Sequence, residues 1–408
     1  MKRERDLKID VVLFGARMHY AVPKILHKKN LLNIFFTDFY IGNKRGIRNI
    51  LTLASNKFKN NKLLKLITSR NSNELNKAEV ISFDCLGINR IFEIRKCKNS
   101  IDYSSVMVKN NIILNNKVIN HYNKTKRLPD VIYGFNTCSL ELFKYAKDNG
   151  IHTILEQTIA PKKVELEIFS KYTENPQLEH LYIEREYEEW KLADLIIAPS
   201  KFVKSSLISC GVDEQKISLV PYGVEQNQFK LKRRHWDGNR TLNFIFVGEV
   251  GIRKGADTLI DAFSEMTGLN ITLKLVGKQS LELANKLPSN IELIGQVPRT
   301  AIPDLYYSAD CFILPSLCEG SATVTYEAMS SGIPVIATKN AGSLVEHEFN
   351  GLLIDVSDKN SIISAVKRLL FEKDLYLKLL DGVVETRGKV SLDEYSINLL
   401  NRINKINV

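Results

Sequence analysis

CFILPSLCEGSATVTYEAMSSGIPVIATKNAGSLVEHEFNGLLID, residues 311–355, is the stretch that decides the fold. It opens on the apolar run 311–315, the kind of segment that a parallel sheet buries on both faces. A loop with Glu319 and Gly320 follows. A helix should then begin near residues 321–323, where hydroxyl side chains can cap free backbone N–H groups. The apolar runs 334–337 and 352–355 complete a strand, loop, helix, strand pattern. The unpaired donors and positive dipole end of such a helix favour an anion, above all a phosphate. Glu319 and Glu327 are separated by seven residues. Helical Cβ atoms tilt toward the N-terminus, so Glu327, about one turn inside, aims its carboxylate back at whatever the helix start binds. A carboxylate there can accept two hydrogen bonds from a ribose, and Glu319, on the loop itself, can reach a second hydroxyl-rich group. Two acids beside a phosphate site suit a sugar nucleotide better than a nucleotide alone.

Upstream, FVGEVGIRKG (residues 246–255) is a strand ending at Gly248, a short loop, and then Arg253-Lys254-Gly255 opening a helix. Its cations can meet a diphosphate from the opposite side, through hydrogen bonds that strengthen as a leaving group gains charge. The segment is no Walker A loop: the lysine precedes the glycine, and no Ser or Thr follows to hold magnesium.

Outward from these segments, apolar runs alternate with amphipathic stretches of helix length. One set is 9–14, 131–133, 153–156 and 195–198; the other is 243–247, 271–276, 291–294, 311–315, 334–337 and 352–355. The alternation predicts βαβ units around two parallel sheets, hence an α/β protein with two Rossmann-like domains. A chain of 408 residues exceeds what one core supports, so two domains facing a cleft are natural. The turn Pro221-Tyr222-Gly223-Val224 and the polar stretch 230–239 put the boundary near residue 230. The stretch 392–406 has the apolar spacing of an amphipathic helix.

Apolar residues make up 44% and charged residues 25%, an ordinary globular balance, and no repeat or low-complexity tract stands out. The six cysteines have neither C-x-x-C spacing nor a nearby histidine, so they read as reduced structural thiols, and no metal site is expected. The formal charge of +11 suits an acidic ligand: a nucleotide diphosphate, an anionic membrane, an acidic glycan or nucleic acid. No interleaved aromatic and basic motif supports nucleic acid. From 39 to 73 there is no acidic residue, while Lys44, Arg45, Arg48, Lys57, Lys59, Lys62, Lys65 and Arg70 are basic, with Ile47, Leu51, Ala54 and Phe58 at helical spacing. This basic 44–70 segment reads equally as a peripheral membrane or anionic-acceptor surface and as a solvated helix face. The charged N-terminus and the lack of a long apolar stretch give the expectation of a cytoplasmic location, with peripheral attachment to the inner face of the membrane as the option the basic segment raises.

The segments 246–255 and 311–355, in this order and at this separation, resemble the retaining family 4 glycosyltransferases of the GT-B fold, whose hallmark is the Glu, seven residues, Glu pattern. ADLIIAPSKFVKSSLISCGVDEQKISLVPYGVEQNQF (193–229) resembles the stretch that closes the family's N-terminal domain. The resemblance implies domains of 1–230 for the acceptor and 231–390 for the nucleotide-sugar donor, with a C-terminal helix in 391–408 returning to the N-terminal domain. It implies a metal-independent transfer from a nucleotide-diphosphate sugar, UDP-sugar favoured and GDP-sugar the alternative, to a glycan or lipid-linked acceptor in cell-surface polysaccharide biosynthesis. A non-catalytic sugar-nucleotide or glycan-binding protein on the same fold is the alternative. Carried over by position, Glu327 would bind the ribose and Glu319 the donor sugar. Lys254 and Arg253 would neutralise the diphosphate, beside Gly248, and the backbone of Gly320, Ser321, Ala322, Thr323 and Val324 would hold its phosphates. Gly295-Gln296-Val297 would meet the base. From the acceptor domain, Gly15, Ala16, Arg17 and His19 would face the cleft. Many members carry an arginine where this chain has Glu249, so Arg253 would supply that charge. Many place a histidine where ILEQTIAP offers Gln157 and Thr158, which makes Gln157 a candidate sugar ligand.

Overall fold

The computed structural model describes residues 7–406 except 43, 45, 47–63, 65, 66, 173–179, 233, 235–239 and 283–286. Most of the basic 44–70 segment, including Arg45, Arg48, Lys57, Lys59, Lys62 and Lys65, lies outside the described residues. Of its described members, Lys44 pairs with Asp84, and the Arg70 guanidinium lies against the Gly15 loop.

Two parallel sheets organise the described residues. The first contains β1 (Ile9–Leu13), β2 (Leu32–Thr37), β3 (Val80–Ser82), β4 (Val131–Phe135), β5 (His152–Glu156), β6 (Leu195–Ala198) and β7 (Ile217–Leu219), in the order β3-β2-β1-β4-β5-β6-β7. The second contains β8 (Leu242–Val247), β9 (Ile271–Val276), β10 (Ile291–Gly295), β11 (Cys311–Leu314), β12 (Val335–Thr338) and β13 (Gly351–Ile354), in the order β10-β9-β8-β11-β12-β13. Every pairing between these strands is parallel. Period-two alternation sends Val11 and Leu13 of β1 to one core and Val12 to another, where it joins Ile34, Phe36 and Leu142. Burial on both faces is why these strands read as unbroken apolar runs.

In each sheet the chain runs outward from its first strand and then returns to that strand's other side. The reversal opens a crevice at the C-terminal ends of β1 and β4, and another at β8 and β11, the place where open α/β sheets bind ligands. Asp310 fixes the opposite end of the β8–β11 pair. Its carboxylate accepts both Arg240 amino groups, at 2.7 and 2.8 Å, and the Asn243 N–H at 3.0 Å.

The helix Leu392–Ile403 lies against the crossover between the sheets. Val224 N–H donates to the Val390 carbonyl (3.0 Å), Leu392 N–H donates to the Val224 carbonyl (3.0 Å), and Tyr395 meets Tyr222 edge to face at 5.7 Å. Glu156, at the end of β5, is fully buried and accepts the Tyr133 hydroxyl at 2.6 Å and the Tyr222 hydroxyl at 2.7 Å. Burial raises its pKa, and the two phenols oppose that rise. This carboxyl therefore ties β4, β5 and the crossover together beneath the returning helix. Gly223 is pressed so closely against the Ser391 carbonyl that a Cβ would overlap it. Gly223→Ala should force these segments apart and cost about 1–3 kcal/mol, as overpacking does. A lowered thermal midpoint, with earlier proteolytic release of the C-terminal helix, is the expected result.

Candidate functional site

The site is built where the loops after β8, β11 and β12 meet. Leu317 N–H donates to the Arg253 carbonyl (3.0 Å), Glu319 N–H to the Asn340 carbonyl (3.0 Å) and Ala322 N–H to the Ala341 carbonyl (3.0 Å). The loop carrying Glu319 is thus stitched by its backbone to both neighbours. Into this frame project Arg253 and Lys254, whose Nη1 and Nζ atoms lie 2.7 and 2.8 Å from the same Glu319 oxygen. The Lys254 and Glu319 side chains are each only 12% exposed, so this pair is shielded from solvent, whereas Arg253 is 39% exposed. Gly248, at the end of β8, lies under Lys254: a Cβ there would be 3.2 Å from Lys254 Cε.

The helix Thr323–Ser330 begins beside that cluster. Its N-cap is Ala322, and no side chain caps it. Hydroxyl capping was the expectation for residues 321–323, but the Ser321 hydroxyl bonds instead to the Tyr326 hydroxyl at 2.7 Å. Without a side-chain cap, the first-turn N–H groups keep the anion-binding character of an open helix start. Glu327 is buried in the same helix. Its carboxylate accepts the Tyr306 hydroxyl at 3.2 Å and lies 3.4 Å from Arg299 Nη2, while Tyr306 also reaches the Val324 carbonyl at 3.1 Å. Burial raises the Glu327 pKa, with Arg299 and Tyr306 holding it down in part.

Arg299 and Tyr306 carry no motif. They reach Glu327 because the helix Ile302–Ser308 packs on Thr323–Ser330, although β10 and β11 are not neighbours in the sheet. Gly295 ends β10 in the left-handed region, φ 75°, and its carbonyl accepts the Gly277 N–H at 2.9 Å. Val297 turns onto the core.

Across the cleft, a cavity of about 750 Å³ is lined by Ala16, His19 and Lys24 from the first sheet's side and by Arg299, Thr300 and Thr323 from the second's. The Gly15 N–H donates to Asp38 Oδ1 at 2.9 Å, and Arg17 lies over the Phe135 ring. Met18, His19 and Tyr20 all hold positive φ, a strained run in residues that are not glycine. Burial lowers the His19 pKa, and Arg299 and Lys24 lower it further.

Gln157 sits elsewhere. It is fully buried, donates to Glu186 (2.9 Å) and to the Ile159 carbonyl (3.1 Å), and accepts the Trp190 indole N–H (2.9 Å). Its amide is spent inside the first domain and does not line the cleft. Its neighbour Thr158 makes the interdomain contact instead, because a Cβ on Gly320 would overlap the Thr158 carbonyl oxygen. From the same side Ser200, the cap of helix Lys201–Ser209, donates its hydroxyl to the Gly320 carbonyl at 2.6 Å. Ser200 was within reach of sequence reading only as a helix cap, and nothing in its motif marks a contact 120 residues away.

Among the described residues no group of three His, Cys, Asp or Glu side chains gathers as a metal site, and no helix is long and apolar enough to cross a membrane. All six cysteines are free; Cys138, Cys311 and Cys318 are buried, and Cys85 is exposed.

Two sheets with matching strand order, apposed across a cleft and sharing a returning helix, define the GT-B fold. The same fold is found in Anabaena Alr3699/HepE, solved in complex with UDP, at 15% identity and a TM-score of 0.64, covering 98% of this chain and 100% of that one. Residues 241–372, about a third of the chain, match the family described as Glycosyl transferases group 1. Among relatives, an Escherichia coli UDP-Gal:alpha-D-GlcNAc-diphosphoundecaprenol alpha-1,3-galactosyltransferase is 31% identical over 188 residues, 40% of this chain and 48% of that protein. The Erwinia amylovora amylovoran biosynthesis glycosyltransferase AmsK is 28% identical over 194 residues, 43% of this chain and 47% of that protein. The matches thus span about half the length of these curated relatives.

The contact of Gly320 with Thr158 can be tested alone. Gly320→Ala should hold the domains apart, raising the radius of gyration in small-angle scattering while the secondary structure is kept. An unchanged radius would mean that Gly320 does not set the closure.

Proposed function

We propose that this chain is a retaining, metal-independent glycosyltransferase that moves a sugar from a nucleotide-diphosphate sugar to a glycan or lipid-linked acceptor. In this reading residues 231–390 bind the donor, 1–230 bind the acceptor, and the helix in 391–408 braces the two. The observation that carries it is the convergence of Arg253 and Lys254 on Glu319 beside the uncapped start of helix Thr323–Ser330, with the Glu327 carboxylate one turn further in.

The ribose hydroxyls would be taken by Glu327, and the diphosphate by the N–H groups at the helix start together with Lys254 and Arg253. Glu319, released from its cations by the phosphates, would then accept a hydroxyl of the donor sugar. As the anomeric C–O bond to the diphosphate breaks, the leaving oxygens gain negative charge that Arg253 and Lys254 meet. The acceptor hydroxyl attacks the anomeric carbon from the face the diphosphate leaves. Its proton passes to the departing phosphate oxygen, so the anomeric configuration is retained and no strong protein base is needed.

UDP-sugar is the favoured donor, supported by the UDP in the Anabaena structure and by the donor in the Escherichia coli relative's name. The diphosphoundecaprenol in that name supports a lipid-linked acceptor, and the amylovoran biosynthesis in the Erwinia relative's name supports a place in a biosynthetic assembly, here proposed as that of cell-surface polysaccharide. Peripheral attachment to anionic membrane through the basic 44–70 segment belongs to the same proposal. It predicts sedimentation with anionic liposomes at low salt; no sedimentation would remove it.

Nucleotide binding is the direct check. UDP or a UDP-sugar should raise the heat-denaturation midpoint, since a ligand of the native state stabilises it, and Glu327→Ala should abolish that rise. Binding without turnover for any acceptor would favour a non-catalytic sugar-nucleotide-binding protein. Lys254→Ala should lower turnover by about 10²- to 10³-fold, more than it weakens donor affinity, because its contact strengthens in the transition state. Glu327 must be ionised to accept two hydroxyls, and its pKa is raised. UDP affinity should therefore weaken as pH falls through a range above that of an ordinary glutamate, and Glu327→Gln should remove that dependence. An affinity independent of pH over that range would place the ribose elsewhere.

A further inference from the structure

Helix His180–Leu192 buries two acids, Glu186 and Glu189, at 1% and 0% exposure. Neither faces the cleft. Glu189 accepts the backbone N–H groups of Thr137 and Ser139, in the loop after β4. Glu186 receives donors from two loops at once. Its Oε1 accepts Gln157 Nε2 at 2.9 Å and Asn136 Nδ2 at 3.3 Å, and its Oε2 accepts the Lys162 N–H at 2.7 Å. The Asn136 carbonyl oxygen in turn accepts both the N–H and the hydroxyl of Thr158, at 3.2 and 2.8 Å. A continuous chain of hydrogen bonds therefore runs from Glu186 to Thr158, whose carbonyl is the surface that meets Gly320 beside Glu319.

We propose that Glu186 is a positioning residue for the transfer reaction: as a carboxylate it fixes the loop after β5 so that Thr158 seats against Gly320 and holds the donor loop closed. This rests on the functional reading above. All three partners of Glu186 are N–H donors, so a proton on either oxygen would turn an acceptor toward a donor and break the chain. Burial pushes the Glu186 carboxyl up to about 7, against the pull of the Lys162, Gln157 and Asn136 donors, and Glu165 raises it further. The other charged or titratable groups that face it are Glu189 and Tyr182 on its own helix, Tyr187 beside it, and Cys210. The fold does not need Glu186 ionised, because a buried acid with a raised pKa favours the protonated native state as pH falls from 7. The position of Thr158 does.

Amide hydrogen exchange on the full chain with UDP tests this without depending on turnover. In Glu186→Gln, exchange in 317–322 and 157–162 should be at least tenfold faster than in the wild type, while β4 and β5 keep their protection. Uniform acceleration, or none, would overturn the proposal. Should that variant fail to fold, Asn136→Ala cuts the same chain one link on and should give the same local pattern; wild-type exchange there would overturn it equally. Kinetics supply the second readout. In Glu186→Gln, kcat for release of UDP from a UDP-sugar should fall ten- to a hundredfold with KM within threefold, and the loss of wild-type kcat as pH drops through about 7 should disappear. A wild type that neither binds UDP nor turns over its sugars would defeat the functional reading alone, since the exchange comparison without nucleotide still decides the role of Glu186.

Discussion

The Glu319 carboxylate shared by Arg253 and Lys254 is the contact on which the rest of the structure converges. It exists because β8 and β11 are neighbours at the point where strand order reverses, so the loops leaving their C-terminal ends face each other. Two cations and one acid leave an uncompensated positive charge in a partly shielded crevice, beside the positive end of a helix whose N-cap carries no side-chain oxygen. Such a place is suited to a ligand with more negative charge than one carboxylate, a description that a diphosphate meets. Asp310 and Arg240, at the far end of the same two strands, keep the pair in register.

The side of the first sheet is held by acids of a different kind. Glu156, Glu186 and Glu189 are all buried and all bonded to neutral donors, and burial raises the pKa of each. Their work is to satisfy N–H and O–H groups that irregular loops would otherwise bury unpaired. The cost is desolvation of three carboxyls; the gain is that the loops after β4 and β5, and the crossover at Tyr222, have one arrangement. Thr158, Ser200 and Gly320 then meet with no room for a side chain. At this contact the two halves meet through backbone and small residues, which carry little sequence signature.

That explains what could be read from the sequence. The strands of the second sheet were legible because each is an apolar run between turn residues, and helix Thr323–Ser330 starts within the 321–323 stretch expected for it. β2, β3 and β7 were missed: β3 and β7 have three residues each, and the first two residues of β2 are only half-buried, too little pattern to separate from a helix. Arg299 and Tyr306 were missed because they reach Glu327 through helix packing, which strand spacing does not encode. Gln157 was assigned to the cleft because it stands, after a strand, where many members of the resembling family carry a histidine. Which of two successive loop residues turns inward depends on what waits there, and the indole of Trp190 and the carboxylate of Glu186 take Gln157. The hydroxyl caps expected at 321–323 failed for a similar reason, since Tyr326 claims Ser321.

A crystal structure of the chain with UDP would examine the donor site most directly. The diphosphate should lie on the N–H groups at the start of helix Thr323–Ser330, with Lys254 Nζ moved from Glu319 to a phosphate oxygen and the ribose hydroxyls on Glu327. A nucleotide bound elsewhere, with Lys254 still on Glu319 and the helix start unoccupied, would contradict the assignment of that crevice as the donor site.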